Sequence, residues 1–300
     1  MRVGLVGSQA SPDLRILRRE IEDRGHKAAF INLRKFPQYV MAGFERSSAR
    51  SALAVDHADL LDFACFYVHD LEGRDGFFRG EFGPEIWAQL RDRYLEFARC
   101  EADNLAFTMG LVMCLGGARP MVNRPEALVR SRFRPSIRFR LARAGIPLWP
   151  LLPGPRAWDA DRGDGAGPPL AMRIRIVEEF TYDVPCFPRR YVNALSLLGG
   201  RPEERWRSLV VKEGLTQSMI RYEDGREERA ALPREAAELA GRVISVLDLD
   251  VAEVHLVPQG GTLKVLDVLP FPWISDFEEI TGEGSAAPIA ERILSLGGSK

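Results

Sequence analysis

The sequence predicts an α/β fold that begins with an open, mostly parallel sheet. Residues 2–7 form a short apolar run ending in glycine, residues 12–24 carry apolar residues at helical spacing, and residues 27–33 form a second strand-like run. This strand, helix and strand order is typical of a parallel sheet with helices packed on its faces. A continuous apolar run at 63–68 suits a strand buried on both faces. We therefore expect residues 1–115 to form this sheet, with RVGLVG as a central strand.

The first helix has clear boundaries, and the glycines before it have two interpretations. Pro12 suits the first helical turn and Gly25 suits the end of the helix. Gly4 and Gly7 are spaced as in some phosphate-binding loops, but the third glycine of a dinucleotide fingerprint is missing, and no P-loop motif occurs in the chain. A glycine-bearing turn between strand and helix is favoured over a phosphate site.

The middle of the chain carries weaker signals. Residues 37–58 are polar and poorly patterned, whereas residues 85–113 have apolar residues at helical spacing, in one bent helix or two. A brief strand at 121–123 precedes a basic helix at 125–144, which Gly145 ends.

A loop rich in proline, glycine and aspartate, residues 154–169, is the best candidate for a domain boundary or a mobile lid. Few apolar groups are available to anchor residues 155–169, so we expect them to be mobile without ligand. Beyond the loop, residues 172–182 and 208–222 have extended character, and a turn near Gly214 predicts that the second stretch is a hairpin.

The C-terminal region combines an amphipathic helix at 233–247 with two short strands, 251–256 and 263–269. The pair Gly260–Gly261 between the strands favours a tight hairpin turn. Asp267 ends the second strand, where a carboxylate could take part in a metal-phosphate site. The apolar residues of the helix are Ala237, Leu239, Ala240, Val243, Ile244 and Leu247.

Composition excludes several classes of protein. The 41 basic and 42 acidic side chains give no overall attraction to nucleic acid or membrane. The four cysteines form no C-x-x-C pair and the four histidines share no metal-ligand spacing, so neither a zinc site nor a disulfide framework is expected. No signal peptide, transmembrane run or G-x-S-x-G elbow is present, and a cytoplasmic location is expected.

The basic helix has two further interpretations besides a solvated charged surface. Its arginines are spread around the helix in a near-neutral protein, so binding of nucleic acid is the weaker interpretation. One or two of these guanidinium groups could instead bind a small polyanion such as a nucleotide phosphate. The arginines are Arg124, Arg130, Arg132, Arg134, Arg138, Arg140 and Arg143.

The order of these features resembles the ATP-grasp superfamily, in particular the branch of the ribosomal-protein glutamate ligase and related carboxylate–amine ligases. Residues 121–150, MVNRPEALVRSRFRPSIRFRLARAGIPLWP, match the family's asparagine at a strand end (Asn123), its helix, and its "aGIPxP" turn (Gly145). The C-terminal strands resemble the family's metal-binding strands, followed by a "TG" and a closing helix at 288–296.

The resemblance implies an ATP-grasp-like arrangement of three lobes. The implied division is an N-terminal α/β domain at 1–118, a shortened central subdomain at 119–205 that contains the lid-like loop 154–169, and a C-terminal subdomain at 206–300. The likeness itself covers roughly residues 1–150 and 233–300.

The resemblance also implies the phosphate-binding residues. Arg134 stands where the family has a phosphate-contacting lysine, which keeps the charge but changes its geometry. The family's lid lysine has two candidate replacements, Arg173 and Lys212. We expect Arg134 to face the cleft between the lobes and to contact bound nucleotide.

The implied metal site departs from the family's pattern. Its first position, usually acidic, is His255; its second is Asp267; its third, usually asparagine, is Leu269. Imidazole is a poor ligand for magnesium and leucine is none, although Glu253 or Glu178 could help. We expect Asp267 to point into the same cleft as Arg134, with His255 on the neighbouring strand within side-chain reach. If the site is degenerate, Asp267 pairs with a cation such as an arginine.

Two functions follow from the resemblance, and both remain open at this stage. An active ligase would use ATP and magnesium to phosphorylate a substrate carboxylate, and an amine would then attack the acyl phosphate. A degenerate homologue would keep the fold, could lack a cofactor, and would serve as a binding or partner subunit. The implied partners are a small-molecule or peptide substrate and, in the assembly, a homodimer or partner protein. A more remote alternative is a small-molecule binding protein that does not use ATP.

Overall fold

The protein is described here by a computed structural model. It covers residues 1–32, 40–44, 51–55, 58–69, 94–131, 134–149, 171–177, 180–185, 204–212, 214–222, 225–282 and 284–298. Within these ranges the backbone alone is described for residues 40–44, 51–55, 58, 94–105, 134, 171–177, 180–185 and 215. The predictions for residues 155–169 and for Glu178 lie outside the described residues.

The strands of the described residues are short in the N-terminal part and long in the C-terminal part. They are β1 (Arg2–Val6), β2 (Lys27–Ile31), β3 (Val40–Phe44), β4 (Ser51–Val55), β5 (Ala58–Asp59), β6 (Cys65–Val68), β7 (Met121–Val122), β8 (Ala171–Val177), β9 (Phe180–Pro185), β10 (Glu204–Val211), β11 (Gly214–Tyr222), β12 (Glu227–Arg229), β13 (Val251–Gln259) and β14 (Thr262–Leu269).

The helices of the described residues cover the sheets. They are α1 (Pro12–Asp23), α2 (Tyr94–Ala118), α3 (Pro125–Ser131), α4 (Arg134–Arg143), α5 (Arg234–Leu247), α6 (Ile274–Thr281) and α7 (Ala286–Gly298). None of the helices in the described ranges has the length and apolar character needed to cross a membrane.

The N-terminal sheet is parallel, as the sequence predicts. Its strand order is β2-β1-β6-β7, so β1 lies between two partners as a central strand. Helix α1 begins after Ser11, whose Oγ accepts a hydrogen bond from Leu14 N at 3.5 Å, and Gly25 follows its end with a φ of 78°. The fold class predicted from the apolar runs is therefore confirmed.

The C-terminal sheet has five strands in the order β12-β11-β10-β13-β14, and every adjacent pair is antiparallel. The hairpins predicted around Gly214 and Gly260–Gly261 are both present, as β10–β11 and β13–β14. Helix α5 packs on one face of this sheet, and it buries Ala236 where the sequence pattern assigned Ala237 to the apolar face.

Two other regions differ from expectation. Strands β3, β4 and β5 form a small antiparallel sheet where residues 37–58 show no strand period. The basic segment forms two helices, α3 and α4, rather than the one helix expected at 125–144. The stretch expected at 172–182 forms the antiparallel pair β8–β9.

Asn123 joins the two sheets. Its Nδ2 donates to the carbonyl oxygens of Val251 at 2.8 Å and Pro270 at 2.9 Å. Its Oδ1 accepts from the backbone N–H groups of Asp250 at 2.7 Å and Val251 at 2.8 Å. All the hydrogen-bonding capacity of this fully buried amide is thus used in tying the end of β7 to the start of β13 and the end of β14.

Candidate functional site

The two faces of the five-stranded sheet differ in polarity. Val254, Leu256 and Val268 are buried beneath α5 on one face. Successive side chains of a strand point to opposite faces, so the residues between them lie on the other face. There the cross-strand pairs Arg207↔His255 and His255↔Asp267 bring polar side chains together on three adjacent strands. We call this surface the charged face; its residues are Arg205, Arg207, Arg221, Glu227, Glu253, His255 and Asp267.

Arg207 is the centre of a network of ion pairs on the charged face. Its Nε donates to Glu253 Oε1 at 2.6 Å, and its Nη1 donates to the Glu227 carboxylate at 3.0 and 3.2 Å. Its Nη2 donates to Asp276 Oδ2 on α6 at 3.0 Å. Because each of its three nitrogens has a carboxylate partner, this buried guanidinium is fully compensated.

Glu253 is completely buried and is shared between two partners. His255 Nε2 lies 2.6 Å from Glu253 Oε1, the oxygen that also accepts from Arg207. Burial alone would raise the pKa of the Glu253 carboxyl, but His255 and Arg207 outweigh burial and hold this pKa at about 2. Burial would lower the pKa of Arg207, and its carboxylate partners raise it instead. Glu253 is therefore ionised and bound to other protein groups.

The first turn of α6 connects the charged face to the N-terminal sheet. Trp273 N donates to Glu253 Oε2 at 3.3 Å, and Ser275 N donates to Asp13 Oδ1 at 2.6 Å. Asp13 in turn lies 3.2 Å from Nε2 of His69, which follows β6. Two buried carboxylates, Asp13 of α1 and Glu253 of β13, thus stabilise the N-terminal end of one helix.

His255 and Asp267 are brought together as expected from the hairpin. They are direct cross-strand partners, immediately before a bulge in β13–β14. Arg138 of α4 lies within electrostatic range of Asp267: burial lowers the pKa of Arg138, and the Asp267 carboxylate partly offsets this effect. An arginine is therefore available near Asp267, as the degenerate interpretation requires.

The donor set at the implied metal positions does not fit magnesium, which prefers oxygen ligands in an octahedral array. Leu269 offers no ligand, and the imidazole of His255 already contacts Glu253. Glu253, the nearest additional carboxylate, is held by Arg207 and by Trp273 N. In the described ranges, no group of three histidine, cysteine, aspartate or glutamate side chains is placed to hold a metal ion.

The phosphate-binding candidates are less completely described. Arg134 lies at the start of α4 and Arg173 lies in β8, but the structure describes only their backbone. Lys212 follows β10 at the end where Val211 pairs with Val251, and its Nζ is 4.0 Å from Asp250 Oδ1. At about 3.4 Å per residue, four residues of β13 separate Lys212 from the level of His255. The structure therefore does not bring Lys212 next to the His255–Asp267 pair.

Several arginines of the basic segment make contacts within the protein. Arg140 donates to the carbonyl oxygens of Val246 at 2.6 Å and Leu247 at 3.2 Å, at the C-terminal end of α5. Arg124 pairs with Asp248 at 3.3 Å, and Arg138 donates to the carbonyl oxygen of Trp149. Cations at a helix C-terminus compensate its unpaired carbonyl groups, so Arg140 and Arg124 have structural roles at the end of α5.

The sequence reasoning missed Arg205, Arg207, Glu227 and Asp276. The available signal was the segment ERWRSLVV, in which two arginines alternate with Trp206 at the two-residue period of a strand. That pattern predicts a charged strand face, but it does not identify the carboxylates, because they come from β12, β13 and α6.

No protein-family model and no curated protein sequence matches this chain. Solved structures, however, match it over nearly its whole length. The ATP-grasp ligase PsnB, complexed with minimal precursor, Mg and ADP, is 14% identical with a TM-score of 0.67, and the match covers 98% of each chain. The macrocyclase MdnC from Microcystis aeruginosa, bound with precursor peptide MdnA, is 13% identical with a TM-score of 0.64, and the match covers 98% of this chain and 99% of MdnC.

A RimK domain ATP-grasp protein from Sphaerobacter thermophilus is also similar. It is 17% identical with a TM-score of 0.55, and the match covers 98% of this chain and all of that protein. Identities this low define the fold alone. The chain therefore has the fold of these ATP-grasp proteins, and the fold expected from the resemblance is confirmed.

Proposed function

We propose that this chain is an ATP-grasp-fold protein that binds a peptide and whose magnesium site is degenerate. One observation carries the proposal: the Glu253 carboxylate, beside the implied metal positions, is bound by Arg207 and His255 at 2.6 Å each. A buried carboxylate that is neutralised by protein cations is a poor ligand for a hard divalent ion, because binding would first have to break these ion pairs.

Support for a peptide ligand comes from the similar solved structures. The PsnB structure is of a complex with minimal precursor, Mg and ADP, and the crystal structure of MdnC has precursor peptide MdnA bound. Both similarities extend over nearly the whole of this chain, so they are not limited to a nucleotide-binding core. In this proposal the chain acts as a binding or partner subunit and presents the peptide to another protein.

An active ATP-dependent carboxylate–amine ligase is the second candidate. The observation in its favour is the concentration of charge on one sheet face, where Asp276 contacts Arg207 and Asp267 is the cross-strand partner of His255. Preorganised charges of this kind can stabilise phosphoryl transfer. Arg207 is less suited to this role than an uncompensated cation, because its three nitrogens are already paired.

Two measurements test the proposal. The first is release of ADP from ATP and magnesium by the purified chain, for which we expect no rate above the background without protein. The second is selection of a displayed random-peptide library on the immobilised chain, for which we expect enrichment of a shared motif. Magnesium-dependent ADP release would favour the ligase candidate, and failure to enrich any motif would count against peptide binding.

A further inference from the structure

Arg205 is a half-buried cation that contacts no carboxylate among the described residues. Its guanidinium forms no hydrogen bond or ion pair with any other described residue, although Arg207, two residues along the same strand, contacts three carboxylates. A guanidinium has five donors, and removing them from water without partners is unfavourable.

The surroundings of Arg205 add positive charge. Arg221 is its direct cross-strand partner in β10–β11. Like charges in directly opposite positions destabilise a sheet. Burial, followed by the charges of Arg221 and Arg207, lowers the pKa of Arg205.

Nearby carboxylates do not remove this imbalance. Glu227 contacts Arg221 at 3.4 Å, but it lies closer to Arg207, at 3.0 Å. Glu253 is held by Arg207 and His255. The acidic side chains of the charged face are therefore concentrated around Arg207, and the excess positive charge lies at Arg205 and Arg221.

We propose that Arg205 and Arg221 form a binding site for an oxyanion, a carboxylate or a phosphate group carried by the ligand. The planar fork of arginine matches two oxygens of either group, and two guanidinium groups on adjacent strands can hold one anion between them. Binding would supply the missing hydrogen-bond partners and remove the repulsion between the two cations. The site deepens the proposed peptide-binding function, but anion binding itself does not depend on magnesium or on ATP turnover.

Thermal unfolding in the presence of simple anions tests this site. Inorganic phosphate and glutarate are titrated separately against sodium chloride at matched ionic strength. We expect at least one of them to raise the Tm of the wild-type chain beyond the effect of chloride. Stabilisation by phosphate alone identifies a phosphate site, by glutarate alone a carboxylate site, and by both a general oxyanion site.

Substitutions of Arg205 test whether this residue is responsible for the anion-dependent rise in Tm. Arg205→Met should weaken anion binding about tenfold or more, the loss expected for charge-assisted hydrogen bonds. Arg205→Lys should give an intermediate affinity because the ammonium group lacks the fork. Arg234→Gln is the matched control, since Arg234 is 91% exposed on α5 and should leave binding unchanged. Without anion, Arg205→Met should unfold at the same or a higher temperature than wild type, because a like-charge contact is removed.

Two results would contradict the proposed anion site. One is that neither phosphate nor glutarate stabilises the wild type more than chloride does, and the other is that the anion stabilises Arg205→Met as much as it stabilises the wild type. If Arg205→Met does not fold, Arg221→Gln provides the same comparison, because the Arg221 side chain is 45% exposed. Failure of the anion titration does not affect the prediction that the chain releases no ADP with magnesium, so the two proposals fail separately.

Discussion

The N-terminal parallel sheet and the C-terminal antiparallel sheet differ in what their faces contact. In the parallel sheet, Val3 and Leu5 pack with α1 and α7, and Val6 and Phe66 pack in a second apolar cluster, so both faces are apolar. In the antiparallel sheet one face is equally apolar, whereas part of the other carries the Arg207 network. Apolar packing therefore stabilises the parallel sheet, whereas the antiparallel sheet is stable only if its buried charges are also paired.

The largest expected effect comes from breaking charge compensation in the antiparallel sheet. Glu253→Leu should lower the free energy of unfolding by about 3–5 kcal/mol, because Arg207 and His255 lose a fully buried partner. Chemical denaturation of the purified variant measures this. Glu238→Leu is the control, since its pair with Arg234 is exposed and its loss should cost at most about 1 kcal/mol. Equal losses of unfolding free energy in the two variants would show that the antiparallel sheet does not depend on its buried ion pairs.

A smaller effect should follow from overfilling the parallel sheet. An added Cβ at Gly4 would lie 2.4 Å from Phe66 Cδ1 and 2.7 Å from Ile31 Cδ1. Gly4→Ala should therefore cost about 1–3 kcal/mol, the range for overpacking a core. Gly117→Ala is the matched control, because no atom lies within 4 Å of its added Cβ, and it should be neutral or stabilising.

A second variant distinguishes overpacking from backbone effects at Gly4. Phe66→Leu removes the ring atoms that crowd the added Cβ, so the combination with Gly4→Ala should cost less than the sum of the two single changes. Strict additivity in denaturant titrations would show that the ring is not the cause.

The smallest expected effect concerns thiol reactivity rather than stability. Burial raises the pKa of the Cys65 thiol to about 11, whereas Cys114 is exposed. At pH 8 iodoacetamide should alkylate Cys65 about a hundredfold more slowly than Cys114, because burial both shields the Cys65 sulfur and reduces its thiolate fraction about a hundredfold from that of a thiol with the ordinary pKa of 9.0. Mass spectrometry of the individual cysteine peptides measures both rates. Similar rates would mean that the sheet opens frequently around β6.

The parts of the fold that the sequence predicts well are those determined by local patterns. The β13–β14 hairpin follows from Gly260–Gly261, whose φ values of 58° and 74° match the positive φ that tight hairpin turns require. Helix α1 follows from its apolar spacing and from Pro12. Strands β3–β5 were missed although residues 39–42 and 52–55 are short continuous apolar runs; these runs are only four residues long and a polar segment separates them, so the pattern is weak.

The candidate site was predicted only in part. The pairing of His255 with Asp267 follows from the hairpin register, which is local. The Arg207 network depends on long-range pairing: Glu227, Glu253 and Asp276 lie 20, 46 and 69 residues away along the chain. A charged residue in a strand predicts a polar face, but the number of carboxylates that reach it depends on tertiary structure.

Equilibrium dialysis of ATP with and without magnesium tests whether the implied metal position of this fold is degenerate, as proposed. The same measurement is made on a variant, His255→Asp/Leu269→Asn, that restores the family's ligand types. We predict that magnesium leaves the ATP affinity of the wild type unchanged, and that the variant gains a magnesium-dependent increase. A wild-type affinity for ATP that rises tenfold or more with magnesium would contradict the account.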